Sequence, residues 1–154
     1  MTLHFAYGSN MSRALMGARC PAAAALGTAT LSHWRFIIGV EGYGSIAPRS
    51  GGIVRGVLWH LGPRDLAALN AYECLDRGLY LRRIVPVRHG RSLVPALVYV
   101  LRRSGEGKPR PAYIHLVANA AREWGLPQPY IEALQRWSPS RWRGARPKDT
   151  GEIG

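Results

Sequence analysis

Two stretches of this 154-residue chain carry residues whose type and spacing suit chemistry. The first is "YGSN", Tyr7 to Asn10, where the apolar run from Leu3 to Tyr7 stops at a glycine and two small polar residues. Such a stop is either a plain turn or a cradle in which successive backbone N–H groups hold an anion. Gly8 permits the close approach that a side chain would block. The second is Glu73. In "GPRDLAALNAYECLD", Leu66 and Leu69 set an apolar stripe, whose next member at helical spacing is Tyr72 or Glu73. Glu73 lies seven residues after Leu66 and four after Leu69, so it points where the leucines point. A carboxylate on a core-facing stripe is costly unless it is paired, hydrogen-bonded or protonated. Two readings stay open at this point. Glu73 either escapes at the helix end and pairs with an arginine such as Arg77, or is buried with a pKa raised toward neutrality, as a general acid/base requires.

Other chemistries have less support. Asp65 reads as a helix-start residue, Asp76 as part of the exit turn, and Glu132 as a member of a late amphipathic helix. His4, His33, His60, His89 and His115 show no HxxxH or HxH spacing, so no metal site is expected. Ser9 lacks a GxSxG elbow. Cys74 sits beside Glu73, but a free cysteine is more often a small buried hydrophobe than a nucleophile. Cys20 and Cys74 have no CxxC spacing and make no disulfide framework, which suits a reduced, cytoplasmic setting. Neither GxGxxG nor a Walker A motif is present. No basic segment precedes an apolar run at the start, and no apolar run reaches the roughly 18 residues of a spanning helix, so no membrane association is expected.

The elements that must position these residues are legible in outline. Leu3 to Tyr7 reads as a short buried strand, after which Asn10 or Ser12 caps a helix through about Ala18, ended by Cys20-Pro21. Trp34 to Val40 reads as a strand, and the Gly- and Ser-rich stretch Glu41 to Gly52 as a loop. "GGIVRGVLWHL" is a strand through Leu61, in which Gly56 marks a bulge or a close backbone approach. The helix from Arg64 follows, with Pro63 near its start and Asp65 in its first turn. "LYLRRIVPV" and "SLVPALVYVL", joined by His89-Gly90-Arg91, form a hairpin, with Pro86 and Pro95 directing parts of it toward edges or bulges. Helices are predicted at residues 113 to 124 and from about Pro129 to Trp137, separated by Gly125-Leu126-Pro127. This order of elements implies an α+β fold on a curved or barrel-like sheet, in a single domain over residues 1–144 with a flexible tail at 145–154.

Lys plus Arg number 21 against 9 Asp plus Glu, a formal net charge of +12. That balance favours a polyanionic partner, and Arg interleaved with Trp137 and Trp142 in "RWSPSRWRGARPK" is able to stack on bases. The other basic residues are dispersed, and no RNP, KH, zinc-finger or helix-turn-helix pattern accompanies them, so nucleic acid is the less favoured partner.

At this point the motifs carry a resemblance. "FAYGSNM", residues 5 to 11, resembles the signature of the γ-glutamylcyclotransferase family (AIG2-like and BtrG-like in wider usage). "GGIVRGVLWHL" leading into "LAALNAYEC", the segment from Glu73 to Gly78-Leu79-Tyr80, "VPALVYVL" with Tyr99, and "PAYIHLVANAAREWGLPQPYIEALQRW" resemble later segments of that family in the same order. The likeness runs from about residue 3 to residue 143, and its C-terminal part favours the glutathione-related members. It implies a small mixed barrel-like sheet with flanking helices and a cavity over the YGSN loop. The implied reaction turns a γ-glutamyl-amino acid or related γ-glutamyl amide into 5-oxoproline and a free amine, with neither metal nor organic cofactor. Glu73 is the implied acid/base. Phe5, Ala6, Tyr7, Gly8, Ser9 and Asn10 are the implied substrate-binding segment, and Tyr80, Tyr99 and Tyr113 are implied to line or close the cavity. Cys74 departs from the glycine that often follows the family's catalytic Glu. Segments 41–52 and 102–112 are expected at the cavity rim, where they would select the γ-glutamyl compound. The alternative is a non-catalytic binding or scaffold protein that uses its basic surface for nucleic acid or an acidic partner.

Overall fold

The computed structural model describes residues 2–76 and 78–138. The expected flexible tail, Arg77 and most of the Arg/Trp-rich segment lie outside the described residues. Five strands close into a barrel in the order β1-β3-β2-β4-β5, where β1 is Thr2–Ala6, β2 Ala24–Ile38, β3 Gly44–Leu61, β4 Tyr80–His89 and β5 Ser92–Leu101. Four helices flank it: α1 (Arg13–Arg19), α2 (Pro63–Asn70), α3 (Tyr113–Glu123) and α4 (Gln128–Gln135). The α+β fold on a barrel-like sheet is as the sequence implied.

The sheet is mostly antiparallel: β1 with β3, β2 with β3, and β4 with β5. The barrel closes where β1 meets β5 in parallel at His4 and Leu97, and where β2 meets β4 at Thr30 and Arg88. Strand alternation follows the pleat. Ala29 and Leu31 are buried, whereas Thr28 before them is exposed and Thr30 between them is half-buried. Phe5, Leu31, Val54, Val57, Leu58, Val87 and Val98 fill the core, and Ile114, Val117, Ala121, Ile131 and Leu134 bring α3 and α4 against it.

Three expectations are corrected. The stretch 41–52 is not a loop: β3 begins at Gly44 and pairs with β2 from Gly44 opposite Ile38 through Ile53 opposite Ser32. Gly44 and Gly52 serve close packing inside a strand, which composition alone reads as a loop. A Cβ at Gly44 would lie 2.8 Å from the Tyr113 hydroxyl, and one at Gly52 would lie 2.6 Å from the Trp34 carbonyl. The strand expected at 34–40 starts ten residues earlier, at Ala24, and ends at Ile38. Register shifts at Ala25/Gly27 and Ser32/Trp34 interrupt its pattern, which hides it from a simple alternation test. The helix from Pro63 stays α-helical only to Asn70. Residues Ala71–Asp76 widen into a π-helical turn.

Gly56 is a close approach and not a bulge: a Cβ there would lie 2.2 Å from the Ala6 carbonyl oxygen. The hairpin of β4 and β5 keeps unbroken register from Tyr80/Leu101 to His89/Ser92, with Pro86 directly opposite Pro95. Each proline faces the other's position, so the amide that each lacks falls at the same rung of the ladder. Ser12 caps α1, its Oγ accepting from the Leu15 amide at 3.2 Å.

Candidate active site

β1 ends at Ala6, and the chain then makes one 3-10 turn, Ser9–Met11, before α1. The Met11 amide donates to the Gly8 carbonyl and the Ser12 amide to the Ser9 carbonyl, both at 3.0 Å. The first amides of such a turn have no acceptor within it and are aimed outward. The turn is held from outside by the end of α3. Trp124 Nε1 donates to the Met11 carbonyl at 2.7 Å, and its ring lies 3.8 Å from the Arg13 guanidinium carbon. Glu123 accepts from the Arg13 amide at 3.2 Å.

Against this turn lies a cavity of about 240 Å³. All ten residues singled out from the sequence border it: Phe5, Ala6, Tyr7, Gly8, Ser9, Asn10, Glu73, Tyr80, Tyr99 and Tyr113. They come from β1, the 3-10 turn, the π-helical turn, β4, β5 and α3, so the barrel end gathers residues more than a hundred positions apart. Among the described residues, segment 41–52 contributes Tyr43 and Gly44 to the lining and segment 102–112 contributes none. The latter instead runs along the β2–β3 turn, where the Gly107 amide donates to Ile38 and the Arg110 amide to Gly42.

Glu73 is 6% exposed, and Asn10 Nδ2 donates to its Oε2 at 3.3 Å. Its burial fits one of the two readings that the leucine spacing left open, although the turn that carries it is not α-helical. The tyrosines form a scaffold with defined partners. Tyr7 donates to the Tyr99 carbonyl at 2.5 Å, and Tyr99 donates to Asn70 Oδ1 at 2.5 Å. Tyr80 donates to the Gly44 carbonyl at 3.0 Å, while the Gly44 amide donates to the Tyr113 hydroxyl at 3.0 Å. One residue at the start of β3 is thus held through both its amide and its carbonyl by cavity tyrosines. A Cβ at Gly8 would lie 3.0 Å from the same Tyr113 hydroxyl, so the glycine of YGSN gives α3 room to approach. Burial, with the charges of Tyr113 and Glu73 adding to it, pushes the Tyr7 phenol well above its ordinary value, and Tyr7 stays a hydrogen-bond donor.

Five further lining residues escaped the sequence reading: His4, Leu15, Arg19, Tyr72 and Leu116. His4 is 2% exposed and donates from Nδ1 to the Leu97 carbonyl at 3.0 Å. Burial pushes its imidazole down to about 4, against the opposing effect of that hydrogen bond, so it is neutral at pH 7. Arg19, at the end of α1, donates to Asn10 Oδ1, to Ser9 Oγ at 3.3 Å and to the Tyr72 hydroxyl at 3.3 Å. Its guanidinium carbon lies 4.5 Å from the centre of the Tyr72 ring. Among the described residues, no group of three or more His, Cys, Asp or Glu side chains is placed to hold a metal ion.

The model of the AIG2-like family matches residues 53–134, more than half of the chain. The chain belongs to the AIG2-like family. This assignment covers β3 from Ile53, α2, the Glu73 turn, the β4–β5 hairpin, α3 and most of α4. A mouse γ-glutamylcyclotransferase is 27% identical over 154 residues, covering 92% of this chain and 81% of its own. The human γ-glutamylcyclotransferase is 27% identical over 163 residues, covering 98% of this chain and 86% of its own. A solved structure of a γ-glutamyl cyclotransferase superposes with a TM-score of 0.80 at 27% identity, covering 87% of this chain and 86% of that one. These relatives support an enzyme of the γ-glutamylcyclotransferase kind. No helix among the described residues is long and apolar enough to cross a membrane.

Proposed function

We propose that this chain is a γ-glutamyl cyclotransferase that converts a γ-glutamyl-amino acid, or a related γ-glutamyl amide, to 5-oxoproline and the free amine. The observation that carries the reading is Glu73: a buried carboxylate bordering a cavity of about 240 Å³, opposite a glycine-led turn of backbone amides.

The substrate brings its own nucleophile, the α-amine, to its own γ-carbonyl carbon, so the protein need supply no covalent catalyst. It must fold the glutamyl chain into attack geometry and remove a proton from the α-ammonium. Glu73 takes that proton. The amine nitrogen then bonds to the γ-carbon, closing the five-membered ring, and the carbonyl oxygen becomes an oxyanion. Amides at Gly8, Ser9 and Asn10 are the donors best placed by position in the turn to hold that oxyanion or the substrate carboxylate. Collapse of the intermediate breaks the original C–N bond; the proton held by Glu73 goes to the departing amine, and the second proton shed by the attacking nitrogen as it becomes the ring amide follows, so that the amine leaves as ammonium. The balance is one C–N bond formed, one broken, and two protons moved from the attacking nitrogen to the departing one.

The test is Glu73→Gln, with 5-oxoproline release measured over a panel of γ-glutamyl dipeptides, γ-glutamylamines and glutathione. The wild type should turn over at least one of them, and the folded variant should lose about 10²–10⁴-fold in kcat, the usual contribution of a general acid/base. A glutamine variant that keeps wild-type turnover overturns the role given to Glu73. A wild type that releases no 5-oxoproline from any of the panel overturns the activity.

A further inference from the structure

We infer that Arg19 is a positioning residue for Glu73, acting through the side-chain amide of Asn10; the inference rests on the role proposed for Glu73. Asn10 is buried, and its two amide ends meet different partners: Oδ1 accepts from Arg19 Nη1, and Nδ2 donates to Glu73 Oε2 at 3.3 Å. A primary amide has one accepting end and one donating end. A guanidinium can only donate and an ionised carboxylate can only accept, so Arg19 dictates which way the Asn10 amide faces. With Oδ1 on the arginine, Nδ2 necessarily faces Glu73. Without the arginine, the flipped amide becomes accessible, setting Oδ1 against the carboxylate as a second acceptor and removing the donor that holds Oε2 in place.

Arg19 is itself over-determined. It stacks on Tyr72, donates to the Tyr72 hydroxyl, and donates to Ser9 Oγ in the same turn that carries Asn10. Tyr72 directly precedes Glu73, so one end of the chain of contacts is tied to the backbone that carries the other end. The guanidinium therefore joins α1, the YGSN turn and the π-helical turn into one unit. A lysine carries its three donors on a single nitrogen and cannot reproduce the planar fork that reaches three separate acceptors.

The experiment compares wild type, Arg19→Met, Arg19→Lys, Asn10→Ala and the Arg19→Met/Asn10→Ala double variant. Methionine keeps an unbranched apolar stem and removes all donors. Arg19→Met should lower kcat about 10–100-fold, the loss expected when a reacting group is misplaced by about an ångström, with KM nearly unchanged. Arg19→Lys should recover part of it. The double variant should be no slower than Asn10→Ala alone, because the arginine acts through the amide. Additive losses in the double variant, or an effect confined to KM, overturn the inference and make Arg19 a direct substrate contact. A second readout needs no turnover. In ¹⁵N spectra of the ligand-free protein, the Asn10 side-chain amide signals should move in Arg19→Met and in Glu73→Gln. Unmoved Asn10 signals in Arg19→Met overturn the inference whatever the enzyme assay gives, and absent wild-type turnover bears on the activity instead.

Discussion

Replacing Gly56 by alanine adds a single methyl group at the point where β3 passes the end of β1. The added carbon would lie 2.2 Å from the Ala6 carbonyl oxygen and 3.0 Å from the Phe5 ring. Close C···O contacts settle near 3.3 Å, so relief requires the strands to part by about 1 Å. Gly56 is not among the residues of positive φ, and alanine alone would stabilise by about 0.4–1 kcal/mol through the unfolded chain. Overpacking in a filled interior costs roughly 1–3 kcal/mol, and here the opposing atom is backbone and cannot rotate away, so destabilisation wins. At about 2–4 °C per kcal/mol for a chain of this size, thermal unfolding should shift down by several degrees. The consequence for the site is larger. Ala6 is the last residue of β1, and Tyr7-Gly8-Ser9-Asn10 follows it without a spacer, so a shift of β1 is passed directly to the cavity turn. A misplacement of about 1 Å costs up to 10²-fold in rate. Calorimetry and 5-oxoproline release read the two effects separately. An alanine variant that unfolds at or above the wild-type temperature and keeps kcat/KM within about twofold refutes the reasoning about both the contact and its transmission.

Gly17 supplies the opposite case: it lies within α1, is exposed, and an added Cβ meets nothing within 4 Å. Gly17→Ala should stabilise by about 0.5–1 kcal/mol, seen as a higher urea midpoint with an unchanged m-value. For His4, a folded-state value of about 4 against 6.5 when unfolded means that the unfolded chain binds the extra proton between those pH values. Stability is full above pH 6.5 and falls by about 3 kcal/mol on acidification to pH 4; in urea titrations at pH 7.5 and pH 4, His4→Gln should remove that part of the difference, and an unchanged difference would contradict the assignment.

How much of this was legible depends on the range of the signal. Ser12 as a cap, the His89-Gly90-Arg91 hairpin and the two C-terminal helices follow from local chemistry, and each lies within a few residues of its expected bounds. Gly56 announced a bulge or a close approach, because glycine in a strand has few other reasons to be there, and the close approach is what it makes. The stretch 44–52 was misread because glycines that admit Tyr113 or the Trp34 carbonyl look, without those neighbours in view, the same as glycines that make loops. Arg19 had no signal at all. It lies at the solvent-prone end of a seven-residue helix, and its partners Ser9, Asn10 and Tyr72 meet it through tertiary packing.

Glu73 is the instructive intermediate case, because the spacing argument located it while describing the wrong turn. In a continued α-helix, the adjacent side chains of Tyr72 and Glu73 would point about 100° apart. Yet Tyr72 holds Arg19 and Glu73 accepts from Asn10, and both border the same cavity. A π-helical turn has more residues per revolution, and its side chains fan over a narrower arc. The widening that starts at Ala71 brings Tyr72 and Glu73 closer in direction, and both border one cavity. A helical wheel finds the carboxylate because it falls seven residues after Leu66; it gives no sign of the arginine that Tyr72 carries. The local departure from regular helix is therefore part of the site, and it is the part that periodicity is built to overlook.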